Sequence, residues 1–447
     1  MGTNEKNMTA GSPGKLIITF AIPLMLGNIF QQFYTMADTM IVGRVVGVEA
    51  LAAVGAGDWL VWLVFGIMTG ITQGFSILVA QFYGAREKEN LKCAVAKSYI
   101  MTALLSVIVL AVSEGAVYHV LLFLQTPDNV IDLTMLYLRL IFAGIPIIAA
   151  YNIFAAILRA LGNSRSPLIA MTVAALINVG LDLLFVAVFG WGVAGAAVAT
   201  VIAQGFSALY CLLVLRKIRD IRLEKEDFYR QPSMSLRLLK LGTPLAIQNV
   251  IISVGGLTVQ YVINGFGFLF VAGFTATNKL YGILEMAAVS YGYAITTYVG
   301  QNLGAKKIER LKKGYHAALV LDLWFAVLAF VVIETLHTQI SSLFLGKDGT
   351  ALAYQVSGDY MRWLGYFFIF MGIKMATDGV LRGLGIMRPF LIANMVNLAI
   401  RLSVALICAP RFGIVFVWLA VPAGWLANFL ISYVALRKSW PTERGDI

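Results

Sequence analysis

The sequence has little of what builds a water-soluble or cross-linked protein. Only 13% of its 447 residues are charged, and it has three cysteines and three histidines. A soluble domain typically carries about a quarter charged residues, so the composition argues against most soluble enzymes. Cys93, Cys211 and Cys408 lie far apart and form no CxxC pair, which disfavours a disulfide framework or a zinc site. The scattered histidines likewise indicate no metal or haem centre.

A phosphate-binding glycine loop is also missing. The dipeptide Gly14-Lys15 is followed by Leu16 and lacks the earlier glycine of the GxxxxGK[ST] pattern. Without a nucleotide-binding loop, ATP is not expected to supply energy. No reactive constellation of an enzyme is found, and no cofactor is expected.

Long hydrophobic runs fill most of the chain. Hydrophobic residues make up 60% of the sequence, and the mean hydropathy is +0.82. A membrane span needs about 20 apolar residues, so the chain has room for twelve spans and only short loops. The predicted segments lie near 16–42, 51–82, 94–116, 131–157, 167–189, 193–215, 238–265, 270–300, 314–338, 354–377, 389–409 and 413–436. The sequence therefore predicts an all-α membrane protein with twelve transmembrane helices.

Lysine and arginine are divided unequally between the two sets of loops. One set, with the termini, holds 25 of them, whereas the other holds Arg44, Lys347 and Arg411. The polar stretch 216–240 alone contains eight. Because basic loops remain in the cytoplasm, both termini and this central stretch are predicted to be cytoplasmic in a multi-pass protein of the cell membrane. The net charge of +11 then reflects topology, and nucleic acid is not expected as a partner.

The two halves of the chain resemble each other at an offset of about 220 residues. The matching segments are 21–24 with 242–245, 81–86 with 301–306, and 158–162 with 381–385. Six spans in each half make a parallel repeat, with a pseudo-twofold axis along the membrane normal. The predicted domains are an N-terminal six-helix lobe, a cytoplasmic basic linker and a C-terminal six-helix lobe, over 1–215, 216–237 and 238–447. Two such bundles that rock about a central cleft are typical of a transporter.

Two carboxylates lie deep in predicted spans of the first half. An ionisable group inside a bilayer costs several kcal/mol unless it is satisfied, so each is a functional candidate. Asp38 is in the first span, and Asp182 in the fifth follows Asn178 by four residues, which places both on one helix face. Thr200 in the sixth span adds a hydroxyl. This oxygen set suits a small hard cation, but the carboxylates could instead hold a proton or merely fasten helices.

The first span also contains a proline. Pro23 frees a backbone carbonyl and allows a kink, so it is the candidate hinge that responds to an ion or proton at Asp38. A static kink is the alternative. The candidate substrate-contacting residues are Tyr34, Tyr281, Glu285 and Arg401. Aromatic walls suit flat cations, although Glu285 could equally pack against Arg401.

The second half lacks an equivalent acidic pair. The position related to Asp38 is Val259, and the eleventh span carries Asn397 and Arg401, so that a cation replaces the acid. The tenth span offers Asp378 near its cytoplasmic end. A single coupling site in the N-terminal lobe is therefore expected.

The chain resembles the multidrug and toxic compound extrusion (MATE) family of bacterial type. The resemblance covers nearly the whole chain and is carried by Pro23 and by ADTMIVG (37–43), ALAAVG (50–55), VAQFYGA (79–85) and LRALG (158–162). It implies secondary active efflux of small amphipathic or cationic organic compounds by antiport against sodium or protons. In similar family members the positions of Asp38, Asn178, Asp182 and Thr200 form the cation site of the N-terminal lobe.

The resemblance does not fix the cargo, because one fold hosts several functions. The same superfamily includes flippases of lipids and lipid-linked glycans, which are the alternative interpretation. The small organic substrates, the coupling ion and the lipid bilayer are the expected partners, and the chain is expected to be a monomer.

Overall fold

The computed structural model describes residues 6–345 and 350–441, and no strand occurs within these ranges. Lys347, predicted above to lie in the set of loops with few basic residues, falls outside the described residues. The chain divides into two compact units, Met1–Asn7 with Ile22–Asn249 and Met8–Ala21 with Val250–Ile447. The predicted lobe and linker boundaries remain a prediction.

The first unit is built mainly from the first seven helices. They are α1 (Pro13–Val45), α2 (Val48–Ala85), α3 (Lys88–Phe123), α4 (Asp128–Ala143), α5 (Ile145–Ala160), α6 (Arg165–Asp182) and α7 (Gly192–Arg216). A π-helical segment, Leu183–Val188, continues α6, and two short 3-10 turns, Arg219–Ile221 and Lys225–Phe228, follow α7. The boundary between the units crosses α1 just before Pro23.

The remaining helices build the second unit, apart from the beginning of α8, which belongs to the first. They are α8 (Ser233–Asn264), α9 (Phe268–Gly304), α10 (Ile308–Leu345), α11 (Ala351–Leu384), α12 (Met387–Ser403), α13 (Ala409–Phe412) and α14 (Val415–Lys438). A second π-helical segment, Val404–Cys408, joins α12 to α13.

The twelve predicted segments all correspond to helices in the described residues. Ten continuous helical segments are long and apolar enough to cross a membrane, and the pair α4 and α5 makes an eleventh. The remaining predicted segment corresponds to α9, which carries Lys279 and Glu285 and is not among these eleven candidate spans. The helices extend several residues beyond the apolar segments because their polar ends also remain helical.

The span predicted over 131–157 consists of two helices in the structure. The chain bends there by 46° between α4 and α5. Gly144 stands at the break, and Pro146 follows it in the first turn of α5, where a missing N–H is tolerated. A side chain on Gly144 would overlap Val201 of α7, so the bend also allows close packing.

The repeated sequence motifs adopt the same backbone geometry in both halves. After α2 and after α9, a basic residue takes the left-handed conformation, Arg86 with φ 58° and Lys306 with φ 56°. After α5 and after α11, glycine does so, Gly162 with φ 88° and Gly385 with φ 78°. Each of these turns ends its helix and satisfies terminal carbonyl groups.

Candidate functional site

The four predicted ion-site residues meet inside the first unit. Asp38 lies on α1, Asn178 and Asp182 on α6, and Thr200 on α7. Asn178 and Asp182 are 0% exposed, Asp38 is 5% and Thr200 is 8%. The Nδ2 atom of Asn178 donates a hydrogen bond to Oγ1 of Thr200 at 3.3 Å, and the two carboxylates interact electrostatically.

The end of α6 fixes the position of Asp182. Asp182 is the last α-helical residue before the π-helical segment Leu183–Val188. The ring of Phe185 stacks on Trp191 with 4.9 Å between the ring centroids. The backbone of Phe185 approaches Gly195 so closely that an added Cβ there would lie 3.1 Å from it. This tight approach of α6 and α7 holds Asn178 against Thr200.

Five oxygen atoms of this cluster have no hydrogen-bond donor among the described residues. No described residue gives a hydrogen bond to either carboxylate oxygen of Asp182, to Oδ1 of Asp38, to Oδ1 of Asn178 or to Oε1 of Gln204. Buried polar groups nearly always have a partner, so five orphaned acceptors in one place need an explanation. All of them accept, and a cation or a proton is what such a set would hold. These five oxygen atoms therefore fit the predicted sodium ion or proton.

The structure adds residues that the sequence reasoning missed. Gln204 is buried, follows Thr200 by one helical turn, and donates from Nε2 to the hydroxyl of Tyr34 at 3.2 Å. The same i, i+4 rule that paired Asn178 with Asp182 identifies it. Tyr137 of α4 is buried near Asp38. No comparable sequence signal pointed to Tyr137.

The predicted substrate residue Tyr34 lies within this cluster. It is 8% exposed and precedes Asp38 by one turn of α1. Pro23 lies on the same helix, inside its hydrogen-bonded length. The hinge and substrate roles of these two residues stay predictions.

The other predicted substrate residues lie together in the second unit. Tyr281, Glu285 and Arg401 line a cavity of about 20 Å³, about the size that holds one water molecule. The guanidinium of Arg401 also reaches α8, where an added Cβ on Gly255 would lie 3.2 Å from its Nη1.

The carboxylate of Asp378 on α11 has partners, unlike that of Asp182. Asp378 forms an ion pair with Lys374 at 3.2 Å and accepts a hydrogen bond from Oγ of Ser432 at 2.9 Å. These contacts within the second unit do not reproduce the orphaned oxygen cluster of the first.

The chain matches the family model described as MatE twice, over residues 23–184 and 244–407. The chain belongs to the MatE family. The second match begins 221 residues after the first, which is the offset of the repeated motifs. The resemblance stated from the sequence is thereby confirmed, and this MatE protein is a multi-pass membrane transporter.

Individual relatives cover nearly all of this MatE chain. "Probable multidrug resistance protein YpnP" of Bacillus subtilis (strain 168) is 29% identical over 397 residues, 88% of this chain and 87% of the relative. A MOP superfamily transporter from Pyrococcus furiosus, described by a reversed polarity of its binding pocket, has a TM-score of 0.90 at 23% identity and covers 98% of both chains. A MATE structure in the bent conformation has a TM-score of 0.89 at 23% identity over 96% of both chains. These structural similarities establish the shared fold.

Proposed function

We propose that this protein exports small amphipathic or cationic organic compounds across the cell membrane in exchange for sodium or protons. The coupling site in this proposal is formed by Asp38, Asn178, Asp182 and Thr200. The observation that carries it is the set of five buried acceptor oxygens without hydrogen-bond donors among the described residues. A cluster that only fastened helices would satisfy its own polar atoms, because an unpaired buried group costs about 1–3 kcal/mol. The multidrug resistance name of the Bacillus subtilis relative agrees with export as the function.

The charge of the cluster explains how exchange would be coupled. Two buried carboxylates strongly disfavour being ionised together without a cation. A sodium ion or proton supplies the missing positive charge, and a cationic substrate would supply it equally well. Because one cation is enough to neutralise the excess negative charge of Asp38 and Asp182, the ion and the substrate would occupy the cluster alternately. Alternating access by a monomer with cytoplasmic termini would then exchange one for the other.

The decisive experiment is efflux of a cationic dye from proteoliposomes with sodium and proton gradients imposed separately. We expect export under one gradient and its loss in Asp38→Asn. The matched control is Asp128→Asn, which removes an exposed carboxylate from the first turn of α4. Equal dye export by the parent and Asp38→Asn would show that the cluster is structural. No dye movement under either gradient would favour the flippase alternative.

Replacing Pro23 tests the proposed hinge. Proline leaves the carbonyl of Thr19 without its usual backbone donor, so α1 is weakest there. We expect Pro23→Ala to straighten and stabilise the helix while slowing efflux about tenfold, because conformational change limits turnover. The measurements are initial efflux rate and melting temperature of the purified protein. Pro422→Ala, within α14, is the control and should keep its efflux rate. Normal efflux by Pro23→Ala would refute a hinge at this residue.

A further inference from the structure

A large cavity of the first unit lies apart from the oxygen cluster. Its volume is about 750 Å³, and α3, α5, α7 and the segment after α7 form its walls. The inner wall is apolar and includes Tyr99, Ile153, Phe154 and Leu215. The edge of Tyr99 packs against Phe154 with 5.3 Å between their centroids. The size is that of a ligand pocket, and the wall suits a hydrocarbon chain.

The mouth of this cavity is basic. Arg216, Lys217, Arg219 and Arg222 line it, and all four are exposed. Within the described parts of the chain, none of the four forms an ion pair with a carboxylate. Four unpaired cations at one opening favour an anionic ligand.

Three acidic residues of the segment after α7 have partners away from the cavity mouth. Asp220 pairs with Lys88 at 2.8 Å, and Glu224 pairs with Lys92 at 3.3 Å. Asp227 is buried and accepts a hydrogen bond from the backbone of Glu224 at 2.8 Å. Three of the four acids are thereby bound to α3 or to the local backbone, and the fourth, Glu226, is exposed and does not line the cavity. The four basic side chains are left at the cavity.

Further bonds hold the segment after α7 against α3. Nζ of Lys97 donates to the carbonyl of Phe228 at 2.7 Å, and Arg230 pairs with Glu89 at 3.1 Å. Gln231 donates to Asn90 at 2.8 Å. The basic mouth is therefore a positioned wall of the cavity.

An unpartnered hydroxyl lies in the same wall. Thr102 is 2% exposed and lines the cavity, and its Oγ1 has no hydrogen-bond partner in the described residues. A buried hydroxyl costs free energy unless it is paired, so a ligand with a carbonyl oxygen would satisfy it.

We propose that this cavity binds one anionic glycerophospholipid. Its phosphate would contact the basic mouth, an ester carbonyl would accept from Thr102, and an acyl chain would cover the apolar wall. The apolar wall favours a lipid over free phosphate, and the unpaired cations favour an anionic headgroup over a zwitterionic one. The site faces the side predicted to be cytoplasmic, where anionic lipids attract basic protein segments.

The test is native mass spectrometry of the full-length protein, titrated in detergent with dioleoylphosphatidylglycerol or dioleoylphosphatidylcholine. We expect tighter retention of phosphatidylglycerol. The double variant Arg219→Gln/Arg222→Gln should bind it about twenty-five-fold more weakly, since each basic residue contributes about fivefold. Ala103→Trp, at an exposed position of the cavity wall, should weaken binding of both lipids. The matched control is Lys225→Gln/Lys240→Gln, which removes two charges that do not line the cavity.

Three results would overturn the proposal. One is unchanged phosphatidylglycerol binding by Arg219→Gln/Arg222→Gln. Another is an equal loss in Lys225→Gln/Lys240→Gln, which would indicate diffuse electrostatic attraction. The third is displacement of the lipid by glycerol 3-phosphate at the same concentration, which would indicate a phosphate site without lipid. Melting temperatures identify any variant that fails to fold. If Ala103→Trp fails to fold, the variant Arg219→Gln/Arg222→Gln decides the outcome, because both arginines are exposed.

Discussion

Asp182→Asn is expected to lower gradient-driven efflux about a hundredfold or more, because losing one partner of a buried charge interaction, here with the coupling ion, costs about 3–5 kcal/mol. The thermal stability of the protein should not fall. Both carboxylate oxygens of Asp182 lack a donor among the described residues, and the side chain is fully buried. Asparagine has the same shape but no charge, so the coupling ion loses its main attraction while the packing is kept. The desolvation penalty of an unpaired charge disappears as well.

The melting temperature distinguishes a coupling role of Asp182 from a structural one. A ligand that binds only the folded protein stabilises it in proportion to the logarithm of its concentration. The parent should therefore melt at a temperature that depends on sodium or on pH, and Asp182→Asn should lose that dependence. Asp128→Asn should retain it. A lower melting temperature with normal efflux would identify Asp182 as a structural residue.

Gly74→Ala is expected to destabilise the protein by about 3 kcal/mol or more, because over-packing at a backbone contact cannot relax by moving a side chain. An added Cβ at Gly74 would overlap the backbone of Gly242 at the beginning of α8. One turn earlier, an added Cβ at Gly70 would lie 2.6 Å from Cα of Ala246. Small residues four apart on both helices permit this approach within the first unit.

A matched substitution lies on the same helix. An added Cβ at Gly55 of α2 has no described neighbour within 4 Å. Gly55→Ala should be neutral or stabilising by up to about 1 kcal/mol, since alanine favours a helix more than glycine does. The measurements are melting temperature and the yield of monodisperse protein. A Gly74→Ala protein as stable as Gly55→Ala would contradict the backbone contact.

The helices could be predicted from the sequence because a bilayer requires long apolar segments. The segment that forms α9 was predicted even though Lys279 and Glu285 interrupt it. The bend at Gly144 was missed, although glycine two residues before Pro146 was a readable signal of a break. The contact of Gly74 with Gly242 could not be predicted, because the sequence does not show which helix packs against a given glycine.

The ion-site prediction rested on the cost of burying Asp38 and Asp182 in a membrane, and it led to residues that lie together. Gln204 was missed because burying a neutral amide in a membrane costs less free energy than burying a carboxylate, so its position gave a weaker signal. The cavity beside Arg219 could not be predicted, because only the fold shows that Asp220 and Glu224 pair with α3 while Arg219 and Arg222 line the cavity.

The helix ends at Arg86 and Lys306 have a consequence for how the protein is oriented. A left-handed conformation costs a non-glycine residue about 1–2 kcal/mol, and glycine would adopt it freely. Both halves nevertheless place a basic residue there, although LRALG and LRGLG place glycine at their own turns. Positive charge in a short loop favours the cytoplasmic face of a membrane. Glycine at these two turns would remove the local backbone cost, but it would also remove a positive charge from each loop.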